Sequence, residues 1–319
     1  MNKFEKFFYY LIHKPSLFGI VGLEKLSFLI PDKAYLQMQY RLHMGKKLNL
    51  ENPVTFNEKL QWLKLYNRKP EYTVMVDKVK AKEYVANIIG EEYIIPTLGV
   101  WDDPDDIDFD ALPNQFVLKC NHNSGTGMCI CRDKSKLDIP KVKAELRKGL
   151  KENYFLHGRE WPYKNVPRKI LAEKFMVDEE MHTQAISRGE IEDLLDYKFF
   201  CFNGEPKYCQ VISDRSTDEK IDFYDMDWNR IVGLVGLVGL VGLSDHIHNS
   251  DKDLPCPSSY KEMQAFAKKL SKDIPFSRID FYEINHQPYF GEITFFPASG
   301  FGSFRPDEWN ERMGEMIAI

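Results

Sequence analysis

The sequence predicts an α+β fold in which an N-terminal helical region precedes short strands joined as antiparallel hairpins. Apolar residues recur at helical spacing through Phe56, Leu60 and Leu63 in the first part of the chain. In the second part, short apolar runs are separated by turn sequences such as Asn203-Gly204, a dipeptide that favours tight hairpins. A chain of 319 residues is long enough to bury a sizeable core in one large or two modest domains.

The composition is that of an ordinary globular protein. Hydrophobic residues make up 43% and charged residues 29% of the chain, a balance that excludes disordered and collagen-like chains. The formal net charge of -5 lacks the strongly basic character of a nucleic-acid-binding domain, so we expect no nucleic-acid partner. The six cysteines form no Cys-x-x-Cys pair. We interpret them as small buried side chains of a cytoplasmic protein rather than as disulfides or metal ligands.

Residues 1–30 are predicted to form one or two amphipathic helices. The apolar run of residues 7–12 is interrupted by His13, Lys14 and Pro15 before it reaches the length of a membrane span, and no cleavable signal peptide is evident. We expect these helices to dock on the protein's own core. The alternative is a peripheral contact with a membrane surface or a membrane-bound partner.

The elements that follow are predicted in chain order. A helix begins at Phe56, because Thr55 is followed three residues later by Glu58, the pattern of a capping box. Pro70 closes this helical region. The next segments are a helix over 77–85, a short strand over 93–96 that ends in proline, and an acidic turn over 102–106.

Hairpins dominate the rest of the chain. Residues 116–120 and 128–131 flank a polar, glycine-bearing loop, and residues 197–202 and 208–212 flank Asn203-Gly204. The other predicted elements are an amphipathic helix over 138–155, a strand over 170–172 leading into 173–176, a helix over 260–270, strands over 277–282 and 288–294, and a final helix.

The triplet Val-Gly-Leu is repeated four times between Val232 and Leu243. A period of three matches neither helix nor strand, and glycine weakens both. The repeat is too short to span a membrane, and no Lys-Ser/Thr pair follows it as a phosphate loop requires. We interpret it as a surface-loop expansion with exposed apolar side chains.

The last two predicted strands carry the most informative side chains. Asp280 and Glu292 lie near each other across the expected hairpin, so their carboxylates point from one face. Two carboxylates with a neighbouring oxygen suit magnesium and bound phosphates. Arg278 lies on the same face and can neutralise a transferred phosphoryl group. A surface hairpin of ion pairs is the alternative interpretation.

Two lysines are candidates for phosphate binding. Lys119 ends an apolar strand and precedes the loop of residues 121–127, whose amides and hydroxyl groups can cap phosphates. The alternative is a strand-end lysine that reaches solvent. Lys78 lies in a lysine-dense helix, where a solvated face is the simpler interpretation.

Taken in chain order, these motifs form a recognisable set: Asp77-Lys78, Phe116-Val117-Leu118-Lys119, the glycine loop, Ala172-Glu173-Lys174-Phe175-Met176, Arg278-Ile279-Asp280 and Gly291-Glu292-Ile293-Thr294. The set resembles the ATP-grasp superfamily, and most closely the TupA-like ATP-grasp family of bacterial surface-polysaccharide clusters. The resemblance runs from about Phe56 to Gly302. It implies an ATP-grasp fold in which two α+β lobes clasp nucleotide between antiparallel sheets.

The resemblance also implies a domain organisation. Residues 1–70 would form the N-terminal helical region and residues 71–319 the ATP-grasp domain. Within that domain, residues 71–172 would form the smaller nucleotide-flap lobe and residues 173–319 the larger metal-binding lobe.

Roles for individual residues follow from the same resemblance. The residues implied to bind ATP are the phosphate-holding Lys78 and Lys119, the flap residues Asn123, Ser124, Gly125, Thr126 and Gly127, the adenine acceptor Glu173, and the hinge residues Lys174, Phe175 and Met176. The residues implied to ligate magnesium are Asp280, Glu292 and Thr294, the last standing where many relatives carry asparagine. Lys198 and Arg278 would face the transferred phosphate or the acid substrate.

The implied activity is an ATP- and magnesium-dependent ligase that joins a carboxylate to an amine through an acyl phosphate. In the polysaccharide setting, the acid is a uronic acid or a peptide carboxylate, and the enzyme is cytoplasmic or peripheral to membrane-bound machinery. The alternatives are a sugar kinase, a non-catalytic nucleotide-binding module and a glycosyltransferase. The last is suggested by Asp225-Met226-Asp227, which fits an Asp-x-Asp metal motif but leaves Lys78 and Lys119 unexplained.

Overall fold

The computed structural model describes residues 15–179, 183, 194–214, 217–238 and 247–319. The helices in these ranges are Pro15–Lys25, Asp32–Met44, Phe56–Tyr66, Glu71–Val76, Lys80–Ile89, Ile139–Lys151, Phe155–Gly158, Tyr260–Leu270 and Glu308–Glu315. The strands are β1 (Thr97–Trp101), β2 (Phe116–Cys120), β3 (Met128–Cys131), β4 (Ile170–Lys174), β5 (Asp196–Phe202), β6 (Glu205–Ser213), β7 (Lys220–Asp225), β8 (Val235–Val238), β9 (Phe276–Ile284), β10 (Gln287–Thr294) and β11 (Ser303–Arg305). This combination of helices and sheets confirms the predicted α+β fold.

The capping box that predicts the helix Phe56–Tyr66 is present. Thr55 Oγ1 accepts a hydrogen bond from Glu58 N at 3.3 Å, and Glu58 Oε2 accepts one from Thr55 N at 3.1 Å. Further along, the buried Asn57 side chain donates to the carbonyl oxygens of Gly300 and Gly302 at 2.9 and 3.0 Å. The helix is therefore fixed to the glycine-rich tail near the end of the chain.

The five-stranded sheet has the order β10-β9-β5-β6-β7, and all its strand pairings are antiparallel. Its two tight turns each place consecutive residues at positive φ: Asn203 and Gly204 at 50° and 83°, and Asn285 and His286 at 50° and 64°. Two central residues with positive φ match the right-handed twist of the flanking strands. Both predicted hairpins are therefore confirmed.

The four-stranded sheet has the order β1-β4-β2-β3 and is also antiparallel. It contains the predicted hairpin across the glycine loop. The strand predicted over residues 93–96 is wrong, because Glu91–Tyr93 is a 3-10 turn and the strand begins at Thr97. Proline has no N–H for a strand ladder, and Pro96 instead accepts a hydrogen bond from Lys174 N at 3.0 Å.

Two large hydrophobic cores underlie the two sheets. Phe56 and Val85, from helices that precede the strands, share a buried core with Ile279 of the five-stranded sheet. The helix Ile139–Lys151 packs beneath the four-stranded sheet in a separate core. Since β4 lies wholly in the four-stranded sheet, a boundary at residue 172 would divide a strand. We propose that the smaller lobe spans residues 97–174 and that the helices of residues 56–89 belong to the larger lobe.

The Val-Gly-Leu repeat is only partly the exposed loop that its period predicts. Val232 is 81% exposed, but Leu234 and Val235 are buried, and β8 pairs with β11. A Cβ at Gly236 would lie 2.6 Å from the Phe304 ring, so glycine permits this ring to pack closely on the strand. The expectation of exposed apolar side chains is therefore confirmed at Val232 and wrong at Leu234 and Val235, while residues 239–243 lie outside the described residues.

The predicted N-terminal helices are only partly within the described residues. Residues 15–25 are helical, whereas residues 1–14 of the predicted helices lie outside the described ranges. In the described ranges no helix combines the length and apolar character needed to cross a membrane.

All six cysteines are free. Four of them are buried as expected, but Cys129 is half-buried and Cys256 is exposed.

Gly314 permits the close packing of the last helix on the start of the helix Phe56–Tyr66. A Cβ at this position would lie 2.2 Å from Val54 O and 2.7 Å from Phe56 N. We therefore expect Gly314→Ala to lower the free energy of unfolding by about 1–3 kcal/mol in urea denaturation. The control Glu311→Ala changes an exposed position of the same helix, where the change is about 0.5 kcal/mol or less. Equal stability of the two variants would contradict this packing.

Candidate active site

The hairpin of β9 and β10 places four functional side chains on one face. Glu292 pairs directly with Asp280 across the strands, and Thr294 pairs with Arg278. Because alternate residues of a strand share a face, all four side chains point the same way. An irregularity between Phe290 and Glu292 sets this register. The predicted clustering of Asp280, Glu292 and Arg278 is therefore observed.

Arg278 connects the members of this group. Its Nε donates to Asp280 Oδ1 and its Nη2 to Asp280 Oδ2, both at 2.7 Å, which makes a two-point ion pair. The same Nη2 donates to Glu292 Oε1 at 3.1 Å and to Thr294 Oγ1 at 3.2 Å. One guanidinium group thus fixes both carboxylates and the threonine hydroxyl.

Strand β5 adds a second cation next to Asp280. Lys198 is paired with Asp280 in the strand register. Its Nζ donates to Asp280 Oδ2 at 2.6 Å and lies 2.7 Å from Asp196 Oδ2. The Lys198 side chain is 8% exposed, so these carboxylates compensate for its removal from water.

The charges of this group act strongly on one another. Burial opposes ionisation of Glu292, but the positive charges of Lys78, Arg278, Lys198 and Lys119 lower its pKa to about 2. Burial raises the pKa of Asp280, whereas Arg278 and Lys198 oppose that rise. Glu292 is therefore an anion near neutral pH.

A second charged cluster lies on the four-stranded sheet. Both oxygens of Glu173, on β4, form ion pairs: Oε1 with Lys82 Nζ at 2.7 Å and Oε2 with Lys119 Nζ at 2.5 Å. Burial alone would raise the pKa of Glu173, but the two ammonium groups lower it below its usual value. Lys119 is therefore held by a buried carboxylate, although its side chain remains 22% exposed.

One cavity joins the two clusters. It is a narrow cleft with a volume of about 10 Å³, lined by Lys78, Lys82, Lys119 and Glu173 on one side and by Gly291 and Glu292 on the other. The charge of Glu292 also opposes the effect of burial, which lowers the pKa of Lys78. Side chains separated by more than 200 positions in the sequence thus face the same space.

The glycine loop is anchored at its base and exposed at its tip. Lys78 Nζ donates to Asn123 O at 2.6 Å, and Asn123 Nδ2 donates to Glu152 Oε2 at 2.8 Å. Gly127 packs so closely on Gly149 that a Cβ would lie 3.0 Å from its Cα. Ser124 and Gly125 are exposed and Thr126 is half-buried. Of the five residues expected to form a flap, three therefore form its tip and two its base.

The three expected hinge residues follow Glu173 along the chain but do not line this cavity in the described ranges. Lys174 is the last residue of β4, and the Phe175 ring lies 5.0 Å from the Arg132 guanidinium.

The sequence did not indicate Lys82 or Asp196 as parts of the site. Their only signal was spacing: Lys82 follows Lys78 by one helical turn, and Asp196 shares a strand face with Lys198.

The donor set on the hairpin suits a hard cation. Asp280, Glu292 and Thr294 offer oxygen atoms only, which magnesium prefers. The described residues contain no group of three or more acidic, histidine or cysteine side chains arranged to hold a metal by themselves. When phosphate oxygens complete the coordination of magnesium, the protein usually supplies only one or two carboxylates. The residues of the hairpin therefore fit a magnesium–phosphate complex.

The Asp-x-Asp string that suggested a glycosyltransferase has a structural explanation. Asp225 Oδ1 accepts hydrogen bonds from Asp227 N at 2.9 Å and Asn229 N at 2.8 Å, which closes the turn after β7. The Asp227 side chain is 86% exposed and lies 4.0 Å from Lys261. These two carboxylates do not converge on a common point.

Comparison with known proteins identifies the chain's family. A model of the TupA-like ATP-grasp family matches residues 58–318, which is most of the chain. The chain therefore belongs to the TupA-like ATP-grasp family, and with it to the ADP-forming carboxylate–amine ligases of the ATP-grasp type. No curated protein matches the chain in sequence.

Three solved structures illustrate the similarity of fold. The D-alanine–D-alanine ligase of Helicobacter pylori is 13% identical, with 82% of this chain and 69% of that chain covered and a TM-score of 0.45. The Bacillus anthracis D-alanine–D-alanine ligase complexed with ATP is 14% identical, with coverages of 77% and 68% and a TM-score of 0.38. The N5-carboxyaminoimidazole ribonucleotide synthetase of Thermus thermophilus is 13% identical, with coverages of 70% and 45% and a TM-score of 0.34. The family assignment rests on the family model and not on these scores.

The electrostatic link across the cavity is open to a direct test. Lys78→Met removes the charge that lowers the pKa of Glu292 most, so we expect that pKa to rise from about 2 toward the ordinary range of a glutamate. The measurement is a carbon-detected NMR titration of the Glu292 carboxyl group. Lys80→Met serves as the control, since Lys80 is exposed two residues away. If both variants titrate like the wild type, Lys78 and Glu292 do not share a cavity.

Proposed function

We propose that this protein is an ATP-dependent ligase that activates a carboxylate as an acyl phosphate and joins it to an amine. The observation that carries the proposal is the cavity that unites Lys78 and Lys119 with Glu292. A triphosphate carries several negative charges, and a site of converging lysines opposite a metal-binding hairpin suits it. Family membership supports the same class of reaction.

Nucleotide binding is assigned to the lysine side of the cavity. Lys78 and Lys119 hold the phosphates, and the loop of residues 123–127 closes over them through its amides and hydroxyl groups. Glu173 accepts the adenine amino group, with Lys174, Phe175 and Met176 as the hinge beside the base. Glu173 also holds Lys119 and Lys82 in place, so one carboxylate serves both the base and the lysines.

Magnesium is assigned to Asp280, Glu292 and Thr294 on the hairpin. When bound, it offsets charge on the phosphates and orients them. Arg278 and Lys198 then face the transferred phosphoryl group, where their positive charge stabilises the charge that develops during transfer. Their hydrogen bonds to Asp280 keep both groups in position before substrate arrives.

The chemistry proceeds in two transfers. A carboxylate oxygen of the acid substrate attacks the γ-phosphorus of ATP, which forms the acyl phosphate and releases ADP. The amine nitrogen then attacks the acyl carbon, the C–N bond forms, and the C–O bond to phosphate breaks. Water competes with the amine in this second step, so the exposed tip of the glycine loop has a role in covering the intermediate.

The substrates are assigned by class. The acid is a carboxylate of a uronic acid in a surface polysaccharide or of a peptide, as expected for the TupA-like setting. We place the reaction in the cytoplasm at the inner face of the membrane. The exposed Phe28 and Leu29, 69% and 68% accessible, support a peripheral contact there.

The activity is tested by incubating the protein with magnesium, ATP and a panel of uronic acids paired with amines. We expect ADP release that requires both an acid and an amine, with a product whose mass equals the two joined by loss of water. ADP release with a phosphorylated sugar alcohol as product would instead identify a kinase. The absence of turnover with bound ATP would identify a nucleotide-binding module.

Asp280→Asn and Glu292→Gln should each lower the rate of ADP release by at least about a hundredfold, because each removes a charge that balances the cations and ligates the metal. Steady-state ADP release measures this, and circular dichroism checks that each variant is folded. Glu311→Gln, at an exposed position of the last helix, is the matched control. Full activity in both site variants would remove the metal assignment.

Lys119→Met should weaken ATP binding about tenfold, since a charged contact to phosphate is lost. Isothermal titration calorimetry with a non-hydrolysable ATP analogue measures the affinity. Lys169→Met is the control, because Lys169 pairs with Asp102 at the surface at 2.6 Å. An unchanged affinity in Lys119→Met would count against the phosphate role.

A further inference from the structure

A second, larger cavity is lined by other residues. It has a volume of about 270 Å³ and opens between the N-terminal helices and the segments around residues 154–160 and 298–301. Its polar lining includes Glu24, Gln39, His43, Tyr154, His157 and Glu160. These residues come from parts of the chain that are far apart, so the cavity exists only because the helical region docks on the ATP-grasp domain.

The lining of this cavity is acidic. In the described part of the chain it contains Glu24 and Glu160 but neither lysine nor arginine. Burial and the nearby Lys64 lower the pKa of His43 to about 4, so its imidazole is neutral. Glu160 is 4% exposed, and its Oε1 accepts a hydrogen bond from Ser299 Oγ at 2.9 Å. The chemistry of the lining therefore suits a cation.

The nearest buried cation is turned away from the cavity. Lys64 Nζ donates to Gly158 O at 2.6 Å, to Ser299 O at 2.7 Å and to Gln61 Oε1 at 3.0 Å. Three acceptors occupy the three protons of its ammonium group. Its charge opposes the rise that burial causes in the pKa of Glu160, but it offers no donor to a ligand in the cavity.

The cavity lies within electrostatic reach of the reaction site. The negative charge of Glu160 raises the pKa of Tyr154, and burial and the negative charge of Glu292 raise it further. The positive charge of Arg278 opposes this rise. The charges of Glu292 and Arg278 likewise act on Glu160. These charges therefore act on the wall formed by Tyr154 and Glu160, and the contacts of Glu152 place the cavity beside the glycine loop.

A carboxylate also links the cavity to the glycine loop. Glu152 Oε2 accepts a hydrogen bond from Asn123 Nδ2 at 2.8 Å, and its Oε1 lies 3.2 Å from His157 Nε2. On its other side, His157 Nδ1 lies 3.7 Å from Glu24 Oε1. Hydrogen bonding to Glu24 raises the pKa of His157 above its usual value. The base of the loop and the wall of the cavity are thus connected.

Building on the proposed ligase function, we propose that this cavity binds the amine substrate as an ammonium ion, with Glu24 and Glu160 as its anionic partners and Glu160 as its proton acceptor. The phosphates bind where Lys78 and Lys119 face the hairpin, and the amine enters through the acidic cavity. The two substrates thus reach the acyl carbon from different cavities with opposite charge.

The proton balance of this step is complete. The ammonium ion passes one proton to the Glu160 carboxylate and becomes a neutral amine, which has the lone pair needed for attack. The nitrogen attacks the acyl carbon, the C–N bond forms, and the C–O bond to phosphate breaks with its electron pair leaving on phosphate. The second nitrogen proton leaves with the departing phosphate, which regenerates a neutral amide.

Ethanolamine, which is protonated near neutral pH, is the probe for the cavity. Binding is measured by saturation-transfer NMR without nucleotide in the wild type, Glu160→Gln, Glu24→Gln and the exposed control Glu311→Gln. We expect the affinity to fall about tenfold in both cavity variants and to stay unchanged in the control, because each removes a charged partner. The half-buried Glu24 provides a second variant should the buried Glu160→Gln fail to fold. No binding to the wild type, or equal binding to all folded variants, would overturn the proposal.

A second readout separates this proposal from the ligase function itself. Hydroxylamine, which is largely uncharged near neutral pH, traps acyl phosphates as hydroxamates without delivering an ammonium ion. We expect Glu160→Gln to keep hydroxamate formation while amide formation with ethanolamine falls at least about tenfold. Equal loss of both products would overturn the role of Glu160 in accepting the proton. If the wild type forms no hydroxamate with any acid, the ligase function fails, whatever the outcome of the binding measurement.

Discussion

The structure depends on balancing the positive charge that gathers where the two sheets meet. Lys78 and Lys119 line one side of the cavity at Glu292, and Arg278 and Lys198 lie among the carboxylates of the neighbouring strands. Such cations repel one another and cannot stay buried without anionic partners. Glu173, Glu292, Asp280 and Asp196 supply these partners in the free protein. Because the partners are carboxylates on rigid strands, the cations are already in place when a triphosphate arrives, and little reorganisation is needed.

The same arrangement explains why the two faces of the reaction centre differ. Lysine side chains face Glu292 in one cavity, whereas the cavity bordered by Glu24 and Glu160 has acidic lining in the described part of the chain. Glu152 connects these regions through Asn123 of the glycine loop and His157 of the cavity wall.

The turns and helix starts that depend on a few neighbouring residues were predicted from the sequence. The turn at Asn203-Gly204 was predicted because this dipeptide favours tight hairpins, and the helix at Phe56 was predicted by its capping box. The convergence of Asp280 with Glu292 followed from the hairpin and the two-residue period of a strand. The resemblance to ATP-grasp proteins, rather than any local pattern, selected Lys78 among several nearby lysines. Lys78 lies in the turn just before the helix Lys80–Ile89, and not within the helix as the sequence predicted.

Other features depend on contacts between distant segments and left no signal in the sequence. The Val-Gly-Leu repeat becomes partly buried because Phe304 packs on Gly236, a contact that the period of three does not reveal. Glu160 and Lys64 are ordinary charged residues until the helical region docks and buries them. Lys82 and Asp196 join the site through neighbours that the hairpins and the sheet order bring to them.

A crystal structure of the protein with manganese and a non-hydrolysable ATP analogue tests the central claim most directly, because anomalous scattering locates the metal independently of the nucleotide. The account predicts a manganese ion in contact with Asp280 and Glu292, bridging phosphates whose other oxygens contact Lys78 and Lys119. A metal or triphosphate bound away from either pair of residues would contradict it.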